Sequence, residues 1–170
     1  MSAPFPPWMK RLVSAAVPAG LYSRASALHT ALVDRDADPR IRESITRLWS
    51  LKNAHRGGRC FIIGNGPSLR TMDLTPLQSE FCFGCNRIYL LFDEKAFQTT
   101  YYVCVNPLVL EQFADDIRQI SCTKFISTSG MNLVGDDPNT IFISTRRGPG
   151  FYRYAPYGLW EGATVTYVAM

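Results

Sequence analysis

The rhythm of apolar and polar positions changes twice along this chain. Residues 1–35 carry weak helical patterning, cut by Pro18 and Gly20. Asp38-Pro39 then reads as an N-cap with proline at the first helical position, and Ile41, Ile45, Leu48 and Trp49 recur on one face, which predicts a helix to about His55. Arg56-Gly57-Gly58 marks the next boundary. From Arg59 onward, short apolar or β-branched runs alternate with helical segments, and strands are predicted at 59–63, 81–86, 100–105, 123–127 and 140–144. Between the third and fourth strands Asn106 is the cap and Pro107 the first residue of a helix that buries Leu110, Phe113, Ala114, Ile117 and Ile120. Alternation of this kind implies an α/β fold, a mostly parallel sheet with helices on both faces, preceded by a helical N-terminal segment over 1–55. No internal repeat is visible.

Composition changes this picture in three places. A chain of 170 residues, 46% hydrophobic and 19% charged, fits one globular domain plus an appendage. The net charge of +4 is unevenly spread: residues 1–59 hold ten Lys/Arg against four Asp/Glu, and residues 60–170 hold eight against ten. A basic leader suits weak contact with an anionic membrane surface or a partner, and a solvated helical face is the plainer reading. Nucleic acid is not an expected partner, because no Lys/Arg cluster interleaves with aromatics in the rest of the chain. Cys60, Cys82, Cys85, Cys104 and Cys122 are odd in number and mostly sit in apolar runs, as buried free thiols do, which points to a reducing, cytoplasmic setting. Cys82 and Cys85 are three apart on a predicted strand, so they point to opposite faces and suit core packing better than shared metal ligation. Lys10-Arg11 before Leu12–Val17 faintly resembles a signal sequence, but Pro18 and Gly20 end the run, and no apolar stretch reaches the ~18 residues of a transmembrane helix.

Candidate chemistry gathers at the loop Gly64-Asn65-Gly66-Pro67-Ser68, where a buried strand runs into glycines and then a helix-starting Pro-Ser. Glycines let backbone N–H groups approach an anion, and a helix beginning at Pro67 adds its positive end. A tight turn that needs glycine for its φ values is the alternative. The loop lacks the Gly-Lys-Ser/Thr ending of a Walker A motif, and Leu69 occupies the place of the third glycine of a dinucleotide fingerprint. Asn86 and Asn106 fall at strand ends, where ligands of open parallel sheets collect. Asn86 suits a ribose diol or a simple turn, and Asn106 a ligand or the helix cap. Arg146, Arg147, Tyr152 and Arg153 surround a glycine-containing aromatic loop that reads as a lid or acceptor site, or as a packed surface loop. Neither His29 nor His55 lies near these residues, so no histidine base is named.

Four blocks in order carry a resemblance: Arg59–Leu69, Phe83-Gly84-Cys85-Asn86-Arg87-Ile88-Tyr89, Tyr101-Tyr102-Val103-Cys104-Val105-Asn106 and Trp160–Tyr167. Over about residues 50–170 the chain resembles the 6-hydroxymethylpterin pyrophosphokinase MptE-like domain, and its glycine loop and asparagines also resemble bacterial sialyltransferases that use CMP-sialic acid. The resemblance implies a Rossmann-like nucleotide-binding domain over 56–170. It implies either diphosphate transfer from ATP to a pterin-type alcohol, with Mg bridging the phosphates, or a role in surface-glycan assembly. The CMP-sugar glycosyltransferase and a non-catalytic nucleotide-binding module are the alternatives. The residues carried over to the nucleotide are Gly64, Asn65, Gly66, Pro67, Ser68, Asn86, Asn106 and Gly162, with Asp73 and Glu161 as acidic candidates for metal help and no catalytic base named. Where the sialyltransferases read Thr-Ser-Gly, this chain reads Trp160-Glu161-Gly162, which puts a carboxylate in the place of a hydroxyl. Gly162–Met170 reads as a helix just begun, so the fold and its missing base are expected to continue past Met170, and the 170-residue chain is expected to be inactive alone.

Overall fold

The computed structural model describes residues 38–146, 152, 155–160 and 164–170. The patterning read over residues 1–35, and the candidates Arg147, Arg153, Glu161 and Gly162, lie outside the described residues.

The first helix, α1, spans Pro39–Ser50. Its N-cap forms as expected, with the Asp38 carboxylate accepting from Arg40 N at 2.8 Å. It ends five residues before His55, because turns closed by Lys52 N to Trp49 O and Ala54 N to Leu51 O take over and Asn53 adopts a φ of 63°. Five strands follow: β1 Cys60–Ile63, β2 Phe81–Cys85, β3 Tyr101–Cys104, β4 Thr123–Ser127 and β5 Thr140–Ile143. All five fall where the apolar runs predicted them, trimmed by a residue or so. β2 stops before Asn86, whose φ of 50° leaves the extended region, and β3 stops short of Asn106, which is committed to a helix cap.

The helix expected from Pro67 is a single 3-10 turn, Pro67–Arg70. Gly66 gives it no capping side chain, and Thr71, Asp73 and Thr75 are poor helix formers with Pro76 close behind. A second 3-10 turn, Thr75–Leu77, completes that crossover. The others use the 3-10 segment Asn86–Leu91 with α2 (Phe92–Lys95), the long α3 (Pro107–Gln119), and a 3-10 turn with α4 (Met131–Val134). A two-stranded parallel ribbon, β6 (Thr145–Arg146) with β7 (Leu159–Trp160), and α5 (Val165–Ala169) close the order.

The sheet order is β1-β2-β3-β4-β5, parallel throughout. Each strand is added on the same side of the last, so right-handed connections place every crossover on one face. That face holds Ile63, Cys82, Tyr102, Cys104, Ile126 and Phe142 from the strands, with Leu69, Ile88, Leu110, Ile117 and Val134 over them. The opposite face holds Cys85, Val103, Phe125, Ile141 and Ile143, covered by Leu48 of α1, by Leu51 at its C-cap, and by Val168 and Ala169 of α5. Helices therefore lie on both faces, contributed by the two ends of the described chain on one side and by the crossovers on the other. Cys82 and Cys85 fall into opposite cores, and all five cysteines are free thiols.

Two polar devices fix the β4–β5 side of the sheet. α1 shields the outer strand β5: the Ser44 hydroxyl accepts from Phe142 N at 2.9 Å, and Arg47 donates to Thr140 O at 2.8 Å. At the start of β4 the fully buried Lys124 donates to Ile120 O at the end of α3 and pairs with Asp137 at 2.6 Å.

Candidate functional site

The candidate residues that the sheet brings together lie along the carboxyl edge of β1, β2 and β3. Register does this. Ile63 pairs with Gly84, which sets Gly64 and Asn65 level with Cys85 and Asn86; Cys85 pairs with Val103, which sets Asn86 beside Cys104. The Cys104 thiol lies 3.8 Å from Asn86 Oδ1. Asn106 follows two residues further, exposed. In parallel sheets this edge is where the strand ends and crossover starts leave polar groups open to ligands.

The glycine loop is exposed from Gly64 to Ser68. Neither Gly64 nor Gly66 lies in the left-handed region; Gly66 has φ −72° and ψ 155°. A Cβ on Gly64 would meet nothing within 4 Å, and one on Gly66 would meet only the Ser68 hydroxyl at 3.8 Å. The fold thus asks for glycine at neither position, through its backbone or through its packing. This removes the tight-turn explanation of these glycines. Gly84, on the neighbouring strand, is the opposite case, since a Cβ there would lie 2.6 Å from Ile88 Cγ2 and 2.9 Å from Thr99 Cγ2. The short 3-10 turn after the loop carries a far smaller dipole than the helix expected there, so any attraction for an anion rests on the loop amides themselves.

Asn86 holds φ 50° at the end of β2, a backbone state that costs most L-residues about 1 kcal/mol or more. The residue is half-buried, level with the loop in register, and its amide oxygen faces the Cys104 thiol on β3. Asn106 makes its capping bond, accepting from Leu108 N at 3.0 Å, which leaves its amide nitrogen as the group free to turn outward. Burial pushes the thiols of Cys85 and Cys104 up to about 11, so both stay protonated at neutral pH and neither is a nucleophile.

The other candidates fall elsewhere. Asp73 is exposed and accepts from Thr75 N at 2.9 Å, and these bonds from Thr75 lower its pKa. It closes a turn. No group of three or more His, Cys, Asp or Glu residues arranged to hold a metal ion occurs among the described residues. Arg146 lies in β6 just past the end of β5, with its guanidinium 5.2 Å from the Tyr152 ring, and Tyr152 N donates to the Tyr167 hydroxyl at 2.8 Å. Tyr167 belongs to α5, which packs against β2 and β3, so the pair is tied to the sheet face opposite the crossovers. Arg146 and Tyr152 belong together, and no contact joins them to the loop among the described residues.

One group at the edge was not singled out from the sequence. Arg87, directly after Asn86, stacks its guanidinium 4.0 Å from the centre of the Phe113 ring on α3. The helical pattern places Phe113 in the buried stripe of α3, but it is half-buried, and its pairing across 26 positions has no local pattern to reveal it. The one signal available was an arginine placed immediately after a strand-end asparagine.

No helix among the described residues is long and apolar enough to cross a membrane. Neither a protein-family model, nor a curated protein, nor a solved structure matches this chain.

Proposed function

We propose that this chain binds a nucleotide across the carboxyl ends of β1, β2 and β3 and serves a nucleotide-dependent transferase. One observation carries the reading: Gly64 and Gly66 sit in an exposed loop at a strand end where neither φ nor a neighbouring atom calls for glycine. What a missing Cβ still provides there is room for a ligand to touch the backbone, which is how glycine loops hold phosphate groups. Asn86, on the adjacent strand, offers a donor and an acceptor to a ribose diol. Phosphoryl and glycosyl transfer both rest on positioning and charge neutralisation, so a site built from amides and asparagines suits them without a covalent nucleophile. ATP with Mg and a pterin-type or glycan-precursor alcohol as acceptor is the version that the MptE-like resemblance favours.

Calorimetric titration with ATP, CTP and CMP, with and without magnesium, tests this. The wild-type chain is expected to bind at least one of them, and Gly66→Val is expected to abolish binding while its melting temperature stays within a few degrees. A Gly66→Val variant that binds as the wild type does, or a wild type that binds none of the three, would end the proposal.

A further inference from the structure

Arg87 is held in an unusual way. Its own backbone, at φ −88° and ψ 27°, departs from helical values inside the segment Asn86–Leu91, and it follows Asn86 at φ 50°. Its aromatic partner Phe113 departs likewise, at φ −133° and ψ 27° in the middle of α3. Two elements thus give up regular geometry at the two residues that stack, guanidinium on ring, at 4.0 Å. Phe113 covers one face of the guanidinium plane and leaves its donors in plane. Nε is buried and has no hydrogen-bond partner.

The rest of the neighbourhood does not discharge this group. No Asp or Glu among the described residues pairs with Arg87, whereas Arg40, Arg59, Arg118 and Lys124 each have a carboxylate. The acidic residue nearest in the network, Asp116, is reached through a phenol: Tyr89 lies beside Arg87 and donates its own hydroxyl to Asp116 Oδ2 at 3.1 Å. A permanently charged, half-buried guanidinium with an idle inward donor lacks one planar or tetrahedral oxyanion to complete it.

We infer that Arg87 binds an oxyanion at the carboxyl edge, specifically a phosphate group of the nucleotide. The choice of phosphate rests on the reading above, because Arg87 follows Asn86, which the register sets level with the glycine loop one strand away. In this arrangement the loop amides hold one phosphate from the β1 side. Arg87 holds it, or its neighbour, from the β2 side, with Phe113 fixing the guanidinium plane so that little side-chain freedom is lost on binding. An acidic group on the acceptor is the other source of the same chemistry, and the test separates the two.

The experiment titrates the full chain with inorganic diphosphate, with CMP and AMP, and with cytidine and adenosine, for the wild type, Arg87→Gln and Arg87→Lys. Arg87→Gln is expected to weaken CMP or AMP and diphosphate at least tenfold, with the nucleosides unchanged and Arg87→Lys in between. Diphosphate that binds alongside CMP without competing, and is lost in Arg87→Gln while CMP is not, supports an oxyanion at Arg87 but assigns it to the acceptor. Should Arg87→Gln fail to fold, the Nε–H resonance of Arg87 in the wild type, assigned from Arg87→Lys, is expected to shift on adding diphosphate. Anion affinities equal in Arg87→Gln and wild type, or an unmoved Nε–H resonance at saturating diphosphate, overturn the inference even if nucleosides bind and the nucleotide reading stands. Diphosphate binding through Arg87 with no affinity for any nucleotide would overturn the nucleotide reading and the assignment of this anion to a nucleotide phosphate, while leaving the oxyanion site at Arg87.

Discussion

At the scale of single residues, glycines with the same sequence appearance divide into two kinds. Gly84 is a packing glycine, since a Cβ there presses on Ile88 and Thr99. Gly84→Ala is expected to cost about 1–3 kcal/mol, the usual result of forcing volume into a filled core, and Gly66→Ala to leave chemical denaturation within about 0.5 kcal/mol of the wild type. Equal destabilisation by both would mean that the loop glycine is structural after all. Asn86 offers a cleaner separation of backbone from side chain. Asn86→Gly keeps φ 50° without strain and removes only the amide, so it should melt no earlier than the wild type yet lose about 1–3 kcal/mol of ribonucleotide affinity. Undiminished affinity would reduce Asn86 to a turn residue. The sequence revealed Gly64, Gly66, Asn86 and Asn106 because each sits where an apolar run stops. Arg87 stayed hidden because its meaning depends on Phe113, and a contact between two crossovers leaves no periodic trace.

At the scale of elements, the strands were legible to within a residue or two because the inner strands are buried on both faces and read as unbroken apolar runs, and β1 at the edge, though only Ile63 of it is buried, is as apolar. α3 was equally plain, announced by Asn106-Pro107 and by Leu110 and Ile117 on one face. The failure at Pro67 has a simple cause: proline starts a helix, but only the residues behind it extend one, and Thr71 through Pro76 do not. Helix placement on the sheet was also out of reach, since α1 meets β5 through Ser44 and Phe142, 98 positions apart. That contact can be tested alone. Ser44→Ala should leave the buried Phe142 N–H without an acceptor and cost about 1–3 kcal/mol in urea unfolding, with faster hydrogen exchange confined to β5. Uniformly faster exchange across all five strands would instead mark a global loss with no special role for this bond.

At the scale of the whole molecule, the pairing of buried Lys124 with half-buried Asp137 ties the end of α3, the start of β4 and the turn before β5 to one another. Asp137 also accepts from Asn139 N and from the Thr140 hydroxyl, each at 2.9 Å. Burial alone would raise its pKa, but Lys124 and these bonds outweigh it and hold the carboxyl below its ordinary 3.8. A group lowered by folding stabilises the fold above its unfolded pKa and withdraws that support as pH falls through the folded value. Stability of the wild type is therefore expected to hold from neutrality to about pH 4 and to decline below it. Asp137→Asn, which leaves Lys124 buried without its counter-charge, should lose on the order of 3 kcal/mol at pH 7 and show a shallower acid limb. A variant with the wild-type acid limb would place the pH dependence elsewhere. The unreversed order of the sheet has a consequence in time. Every strand pairs with the one made roughly twenty residues before it, a low-contact-order arrangement, so during synthesis each new strand meets a template already in place and the sheet grows by accretion. α1 is the exception. Synthesised ahead of all five strands but docked on β5, it must wait for that strand, and its closure over Phe142 is the step that covers the growing edge.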